Sequence, residues 1–392
     1  MIDKVTIKEC YLCKACSNIC PANAIDYLIE EKGFLYPEIN YSKCTNCNMC
    51  EKVCPVINNT KTKKVRYPIT YALRSKNIDV RLNSSSGGIF FELGSYVLDQ
   101  GGSACGAIFV KDFQVMHVIT NEKNMLKKMC GSKYVQSDVG LVYRKIKEKL
   151  NAGKTVLFCG CPCQTSALKF YLKKDYNNLF LIDFICHGIP SQTFLDAYIK
   201  TMEEKYHSKA SQIEFRNKDK GWHRSCVKIL FENGKIYNEL VSVDVYMTAF
   251  LNGTIMKESC YHCGMKNFNS NSDITLGDFW GAELYFPEID DNTGISVAFV
   301  NTEKGNDLLN LLDIEKFEVD KEKIIKYNRN VIESTKPHQK RNEFYKYCEK
   351  NDIGKALFDL FGESKSDKLE RLLKYRLRCI KNKICGKDKP LY

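Results

Sequence analysis

CYLCKACSNICP at 10–21 and CTNCNMCEKVCP at 44–55 decide how the chain begins. In each stretch three cysteines recur at every third position, a fourth follows after three residues, and a proline comes next. Cysteines at this spacing wrap one tight loop around three corners of an iron–sulfur cubane, and the last corner needs a ligand from elsewhere. In the two-cluster arrangement the fourth cysteine of each run serves the other cluster. Cys10, Cys13, Cys16 and Cys54 are therefore expected at one [4Fe-4S] cluster, and Cys44, Cys47, Cys50 and Cys20 at a second. Such crossing ties the halves together, so the module needs little apolar core. Pro21 and Pro55 suit the first turn of a short helix, where a missing N–H costs nothing. Residues 25–29 and 34–39 read as the strands of a hairpin around Lys32-Gly33. Zinc typically takes two CxxC pairs, and two complete four-cysteine runs argue against it.

The rest of the chain is long enough for further domains, with 392 residues and 20 cysteines in all. A disulfide scaffold suits short secreted chains. This chain is long, and its start, MIDKVTIKEC, has no apolar signal region. No apolar run approaches the roughly 18 residues that span a bilayer. The expectation is a reducing cytoplasm in which cysteines serve iron as thiolates. Isolated Cys105, Cys130, Cys226, Cys348, Cys379 and Cys385 read as small buried hydrophobes. The formal charge of +12 counts every cysteine as neutral. Each cubane on four thiolates carries about −2, so two or three clusters bring the total to roughly +8 or +6. With no basic motif interleaved with aromatics, no nucleic-acid partner is expected.

Five segments follow from composition. Residues 1–57 form the two-cluster ferredoxin domain. The polar, basic stretch 58–68 reads as a linker. Residues 69–150 and 151–330 form the two parts of an α/β body. Residues 331–392 end in a basic helical tail, where Leu369, Leu372, Leu373, Leu377, Ile380 and Ile384 recur at helical spacing. The tail reads as a helix packed on the body, with docking to an anionic membrane or acidic partner as the alternative. The fold expected is α+β in the module and α/β in the body, with a mixed or parallel sheet.

Within the body, Asn83-Ser84-Ser85-Ser86-Gly87-Gly88 precedes a helical pattern. A Ser/Gly loop at a helix N-terminus presents free N–H groups that suit a phosphate, and an ordinary serine cap is the simpler alternative. KTVLFC (154–159) and NLFLIDFI (178–185) read as buried strands flanking a helix at 165–173. Strand, helix, strand is a right-handed unit with parallel strands. Its carboxyl ends bring Cys161/Cys163 and Cys186/His187 to one crevice, where open α/β sheets bind ligands. Residues 226–232 and 235–238 read as a hairpin with a type I′ turn at Asn233-Gly234. Cys260-x2-Cys263, joined to Cys163 and Cys186, completes four thiolates, the count for a third cubane. His187, His262 and Cys161 are alternative ligands, and zinc an alternative metal.

SSSGGIF (84–90), GSKYVQSD (131–138), GCPCQ (160–164), CHGIPS (186–191), FRNKDKGW (215–222), CYHC (260–263) and SDITLGDFWG (272–281) make the chain resemble a known family. It is similar to the coenzyme F-420 hydrogenase/dehydrogenase beta subunits, in the branch with a fused N-terminal ferredoxin, over roughly residues 1–330. The resemblance implies FAD in the α/β body, with Ser85, Ser86, Gly87 and Gly88 as contacts and Lys133, Tyr134 and Gln136 as further candidates. It also implies that Cys163, Cys186, Cys260 and Cys263 hold the inner cluster. Where relatives often have threonine, position 161 is cysteine, so Cys161 competes with Cys163 as a ligand. Flavin chemistry fits independently, because cubanes carry single electrons and small organic acceptors take two. The function expected is an FAD-dependent iron–sulfur oxidoreductase acting on a small two-electron substrate and exchanging electrons with ferredoxin or another redox protein. The alternative is a relay to a partner subunit.

Overall fold

The computed structural model describes residues 1–30, 32–58, 69–362 and Leu373. Residues 59–68 of the expected linker lie outside this description. So does the tail pattern beyond 362, Leu373 apart, together with Cys379 and Cys385.

In the module, β1 (Ile25–Ile29) pairs antiparallel with β2 (Leu35–Ile39), with Ile25 opposite Ile39. Gly33 makes the turn at a φ of +75°, a conformation that a side chain disfavours. The apolar core here is small: Ile2, Ile25 and Ile39 beside Cys16 and Cys54. Pro55 opens the helix Pro55–Asn58 as expected, whereas Pro21 opens only a turn.

The body is mixed α/β, built on one eight-stranded sheet. Its strands are β3 (Ile69–Ser75), β4 (Ser103–Phe109), β5 (Val115–Thr120), β6 (Val156–Cys159) and β7 (Leu179–Phe184). A separate small sheet holds β8 (Ala210–Asn217), β9 (Cys226–Phe231) and β10 (Ile236–Leu240). The large sheet is completed by β11 (Ile274–Asp278), β12 (Ser296–Val300) and β13 (Ile314–Glu318), in the order β13-β3-β12-β11-β7-β6-β4-β5. The middle strands β11, β7, β6 and β4 are parallel, and antiparallel pairs flank them. The sheet is thus mixed. A parallel strand covered on both faces reads as an apolar run, and in β6 Val156, Leu157 and Phe158 are each fully buried.

The β9–β10 connection differs from the expected turn. Only Gly234 has positive φ, and Phe231 N–H donates to Lys235 O at 3.0 Å. That is a three-residue loop closed by a left-handed glycine. Type I′ would need Asn233 left-handed as well.

The module is not a pendant. Cys10, Phe34 and Tyr36 share a core with Phe194, Tyr198 and Phe215 of the body. Cys13, Ala15 and Val53 share another with Tyr143 and Phe158. Arg144 clasps the module from the body side, donating to the carbonyls of Ser17, Asn18 and Cys20. Among the described residues, no helix is long and apolar enough to cross a membrane.

Candidate functional site

The module's loops carry a repeated backbone signature. Leu12 and Lys14 have φ of 53° and 57°, and Asn46 and Asn48, at the matching places of the second run, both have 55°. Left-handed residues without glycine are costly and persist only where surroundings dictate them. Alternating handedness turns successive N–H groups inward, forming a concavity that suits an anionic cluster. Cys13 is pushed well above the ordinary thiol range by burial, then by the nearby thiols of Cys54, Cys16 and Cys10. The fold therefore brings Cys54 to the first run. Cys20, Cys44 and Cys50 pack together on the module core, and Cys47 is exposed. Cys10, Cys13, Cys16 and Cys54 are all buried, so one site faces solvent and the other faces the body.

The body's thiols come from three places. Cys163 sits in the first turn of the helix Pro162–Leu172, which follows β6. Cys186 follows β7. Cys260 and Cys263 belong to the short 3-10 turn Glu258–His262 and its C-terminal cap. All four line one narrow cavity, together with Tyr11 of the module. Burial pushes Cys260 and Cys263 up, the latter to about 12, and neighbouring thiols add to the effect. Four thiols crowded about one cavity cannot all ionise without a positive charge among them. An S4 donor set with that requirement fits zinc or iron–sulfur.

Cys161 is not on the lining of this cavity. It is the N-cap of the helix, and its N–H donates to Gln164 Oε1 at 2.9 Å. Cys161 lines a second, much larger cavity, while its thiol lies against those of Cys163 and Cys186. Cys186 is pushed down to about 7 by Cys161 first, with help from the Lys266 ammonium. His187 Nε2 donates to Leu251 O at 3.0 Å, and its Nδ1 accepts from Asn330 Nδ2 at 2.7 Å.

The large cavity measures about 1210 Å³. A pocket for one drug-sized ligand takes roughly 300–1,000 Å³. The two cavities share the wall formed by residues 183–189. Ser85, Ser86 and Gly88 line the large one, as do Lys133 and Tyr134. Ser85 Oγ accepts from Ser132 N–H at 2.7 Å, which ties the two Ser/Gly stretches into one rim. Lys133 Nζ donates to the carbonyls of Met129, Cys130 and Gly131, and burial pushes it down to about 8. Gly87 is not on the wall. A Cβ there would lie 2.5 Å from Leu73 O and 2.8 Å from Ser296 N, so its close approach is to strand backbone. Gln136 is elsewhere too, its amide donating to Tyr11 O at 3.3 Å.

Several buried polar atoms facing this cavity have no partner. Asp183 is fully buried on β7 with neither oxygen in a well-formed hydrogen bond, and desolvation pushes it up to about 6 against the opposing pull of the nearby Thr275, Ser270, Ser272 and Thr165 hydroxyls. His117 stacks on Phe158 with Nδ1 unmatched, and burial pushes it down to about 4. Arg216 donates to Asp278 Oδ2 at 2.8 Å and lies over the Trp280 ring, leaving Nη2 unmatched. Orphaned buried donors and acceptors cost stability unless a ligand satisfies them. The sequence held a signal for Asp183, a lone charge in the apolar run LIDFI, and for Arg216 inside FRNKDKGW. An isolated histidine such as His117 gives none. Cys130, read as inert, lines this cavity.

Comparison with known proteins agrees with the motifs. Residues 153–325 match the family model for the C terminus of the coenzyme F420 hydrogenase/dehydrogenase beta subunit. Residues 9–58 match that for the 4Fe-4S dicluster domain. The chain is 39% identical over 44 residues to the ferredoxin-type protein NapF of Haemophilus influenzae, covering 11% of this chain and 25% of that protein. It is 20% identical over 303 residues to a subunit of the F(420)H(2) dehydrogenase of Methanosarcina mazei, covering 71% of this chain and 80% of that one. The chain thus spans about a quarter of the first of these relatives and most of the second. A chain of the F420-reducing [NiFe] hydrogenase complex from Methanosarcina barkeri aligns with a TM-score of 0.44 at 18% identity, over 68% of this chain and 91% of its own.

Proposed function

For a chain that carries a 4Fe-4S dicluster domain followed by the C-terminal domain of coenzyme F420 hydrogenase/dehydrogenase beta subunits, we propose an FAD-dependent iron–sulfur oxidoreductase. Electrons pass between the exposed cluster of Cys20, Cys44, Cys47 and Cys50 and the buried one of Cys10, Cys13, Cys16 and Cys54. From there they move through a third [4Fe-4S] cluster on Cys163, Cys186, Cys260 and Cys263 to FAD in the large cavity. A flavin exchanges electrons singly or in pairs, the chemistry needed between clusters and a small two-electron substrate.

One observation carries this reading. The narrow thiol cavity has the module's Tyr11 on its lining and shares the wall 183–189 with the large cavity. A group held there is a stepping stone between module and body. The roominess of the large cavity suits a cofactor and a substrate together. Ser85, Ser86, Gly88, Lys133 and Tyr134 would line the cofactor's side, with Gly87 holding the loop against β3 and β12 and Gln136 fixing Tyr11. Asp183, His117 and Arg216 offer unmatched polar atoms to the occupants.

A second reading draws on the Methanosarcina mazei relative, which is by name one subunit of a dehydrogenase. In it the chain hands electrons to a partner protein. Ferredoxin or another redox carrier serves the exposed cluster in both readings. Anaerobic purification with metal analysis and flavin extraction tests them. The enzyme reading expects about 12 irons per chain, by three four-iron cubanes, one flavin and no zinc. About 8 irons with full flavin would remove the inner cluster, and no flavin at all would leave the relay.

A further inference from the structure

Lys257 is buried to 1% exposure, at the seam between module and body. Its backbone belongs to the body: it is the N-cap of the turn bearing Cys260, and Cys260 N–H donates to its carbonyl at 3.0 Å. Its ammonium belongs to the module. Nζ lies 3.7 Å from the Tyr36 ring centroid and 5.2 Å from that of Phe34, and donates to Leu35 O at 3.4 Å. Two residues on, Ser259 Oγ donates to Cys10 O at 3.0 Å. Among the described residues this carbonyl and these two rings are the ammonium's contacts, and no carboxylate pairs with it.

A buried ammonium without an ion-pair partner is costly, and such groups normally shed the proton or find an anion. Desolvation pushes Lys257 down to about 8, and the anions that oppose this are, first, Cys10, then Cys260, Glu30 and Cys163. Three of those four are thiols, drawn from both sides of the seam. Aromatic faces supply part of the compensation. The remainder requires negative charge where the thiols are, which clusters of thiolate and iron carry.

We propose that Lys257 is the counter-charge shared by the Cys10–Cys13–Cys16–Cys54 cluster and the inner Cys163–Cys186–Cys260–Cys263 cluster, raising the reduction potentials of both relative to the exposed cluster. The inference rests on the function proposed above. An electron supplied by an external one-electron donor reduces the exposed cluster. It then leaves that cluster, which is reoxidised, and reduces a cluster at the seam. No bond is made or broken and no proton moves. A fixed positive charge at the seam favours the reduced, more negative cluster there and leaves the outer cluster almost unaffected. The transfer inward is thereby made more favourable than it would be without the charge. Lys257 is a positioning residue, since it touches no substrate.

The test is a redox titration of the full-length protein, purified without oxygen and followed by electron paramagnetic resonance. It compares the unmutated chain with Lys257→Met and Lys257→Arg. Methionine keeps the apolar stem without the charge. In Lys257→Met the equilibrium for passing an electron from the exposed cluster to the Cys10 cluster is expected to fall about tenfold, a shift of about 59 mV. The inner cluster should shift likewise, the exposed cluster should stay put, and Lys257→Arg should recover most of the difference. A fully loaded Lys257→Met protein with unshifted potentials overturns the proposal, as does an equal shift in all clusters. If methionine blocks cluster loading and arginine permits it, the charge is required and the proposal stands. If both block it, the lysine is packing and the proposal falls. Should the unmutated protein lack the inner cluster, that part of the function fails separately, and the shift of the Cys10 cluster still decides the role of Lys257.

Discussion

The thiols of residues 10–54 and those around Cys163 are gathered by different physics. In the module the chain itself curls, with left-handed residues at Leu12, Lys14, Asn46 and Asn48 turning each loop inward. The module's own core is slight, and its loops lean on the cores they share with the body. In the body the sulfurs arrive on finished architecture: the helix after β6, the end of β7 and the turn before β11. Those elements stand on buried strands such as Val156–Cys159 and would keep their form without metal. A site made by spacing is legible in sequence and fragile without its metal. A site made by topology is hard to read and sturdy.

The largest effect that probes this contrast comes from Cys54→Ser. Its thiol lies among those of Cys10, Cys13 and Cys16, so the cluster of the first run should be lost while that of Cys44–Cys50 survives. Resonance spectra that lose only the second cluster would break the crossed arrangement.

Gly87→Val is next. Its Cβ would meet the backbone of Leu73 and Ser296, which cannot step aside, so stability should fall by about 3 kcal/mol in denaturant unfolding. Flavin loss should follow only from unfolding. Loss of flavin at unchanged stability would instead put a phosphate against Gly87.

The smallest effect is a gain. Burial is the main cause that pushes the Asp183 carboxyl up to about 6 from its ordinary value of about 3.8. The folded state therefore holds the proton more tightly, and the cost of the ionised form grows as pH rises from about 4 to 6 and stays constant above. Asp183→Asn should therefore gain stability relative to the unmutated chain as pH rises, by about 2 kcal/mol between pH 4.5 and pH 7.5. Denaturant midpoints at the two values check this, and a difference that does not change with pH would contradict the raised value of the carboxyl.

How much was legible follows the same line. The eight module cysteines, the hairpin at 25–39 and strands β6 and β7 stood out because spacing, a glycine turn and apolar runs are local signals. Convergence of Cys163 and Cys186 followed from one rule about parallel strands. The antiparallel flanks of the sheet were beyond reach, since β3 meets β12 and β13 only through long separations in the chain. Asn233-Gly234 misled because the dipeptide serves two loop lengths. Gly87 misled because a glycine records close approach without naming what approaches. Lys257, one lysine among many in the sequence, acquires its character only from Tyr36 and Phe34, which arrive from another domain.

Electron delivery from module to large cavity is the central claim, and Cys163→Ala tests it most directly. Reduced ferredoxin is mixed with the anaerobic protein in a stopped-flow instrument, and flavin and cluster absorbance are followed separately. The account predicts that Cys163→Ala keeps its flavin and both module clusters, that those clusters still reduce, and that flavin reduction slows by at least about a hundredfold. That factor corresponds to a barrier higher by about 2.7 kcal/mol. Flavin reduction at the unmutated rate in this variant would contradict the route through the inner thiols.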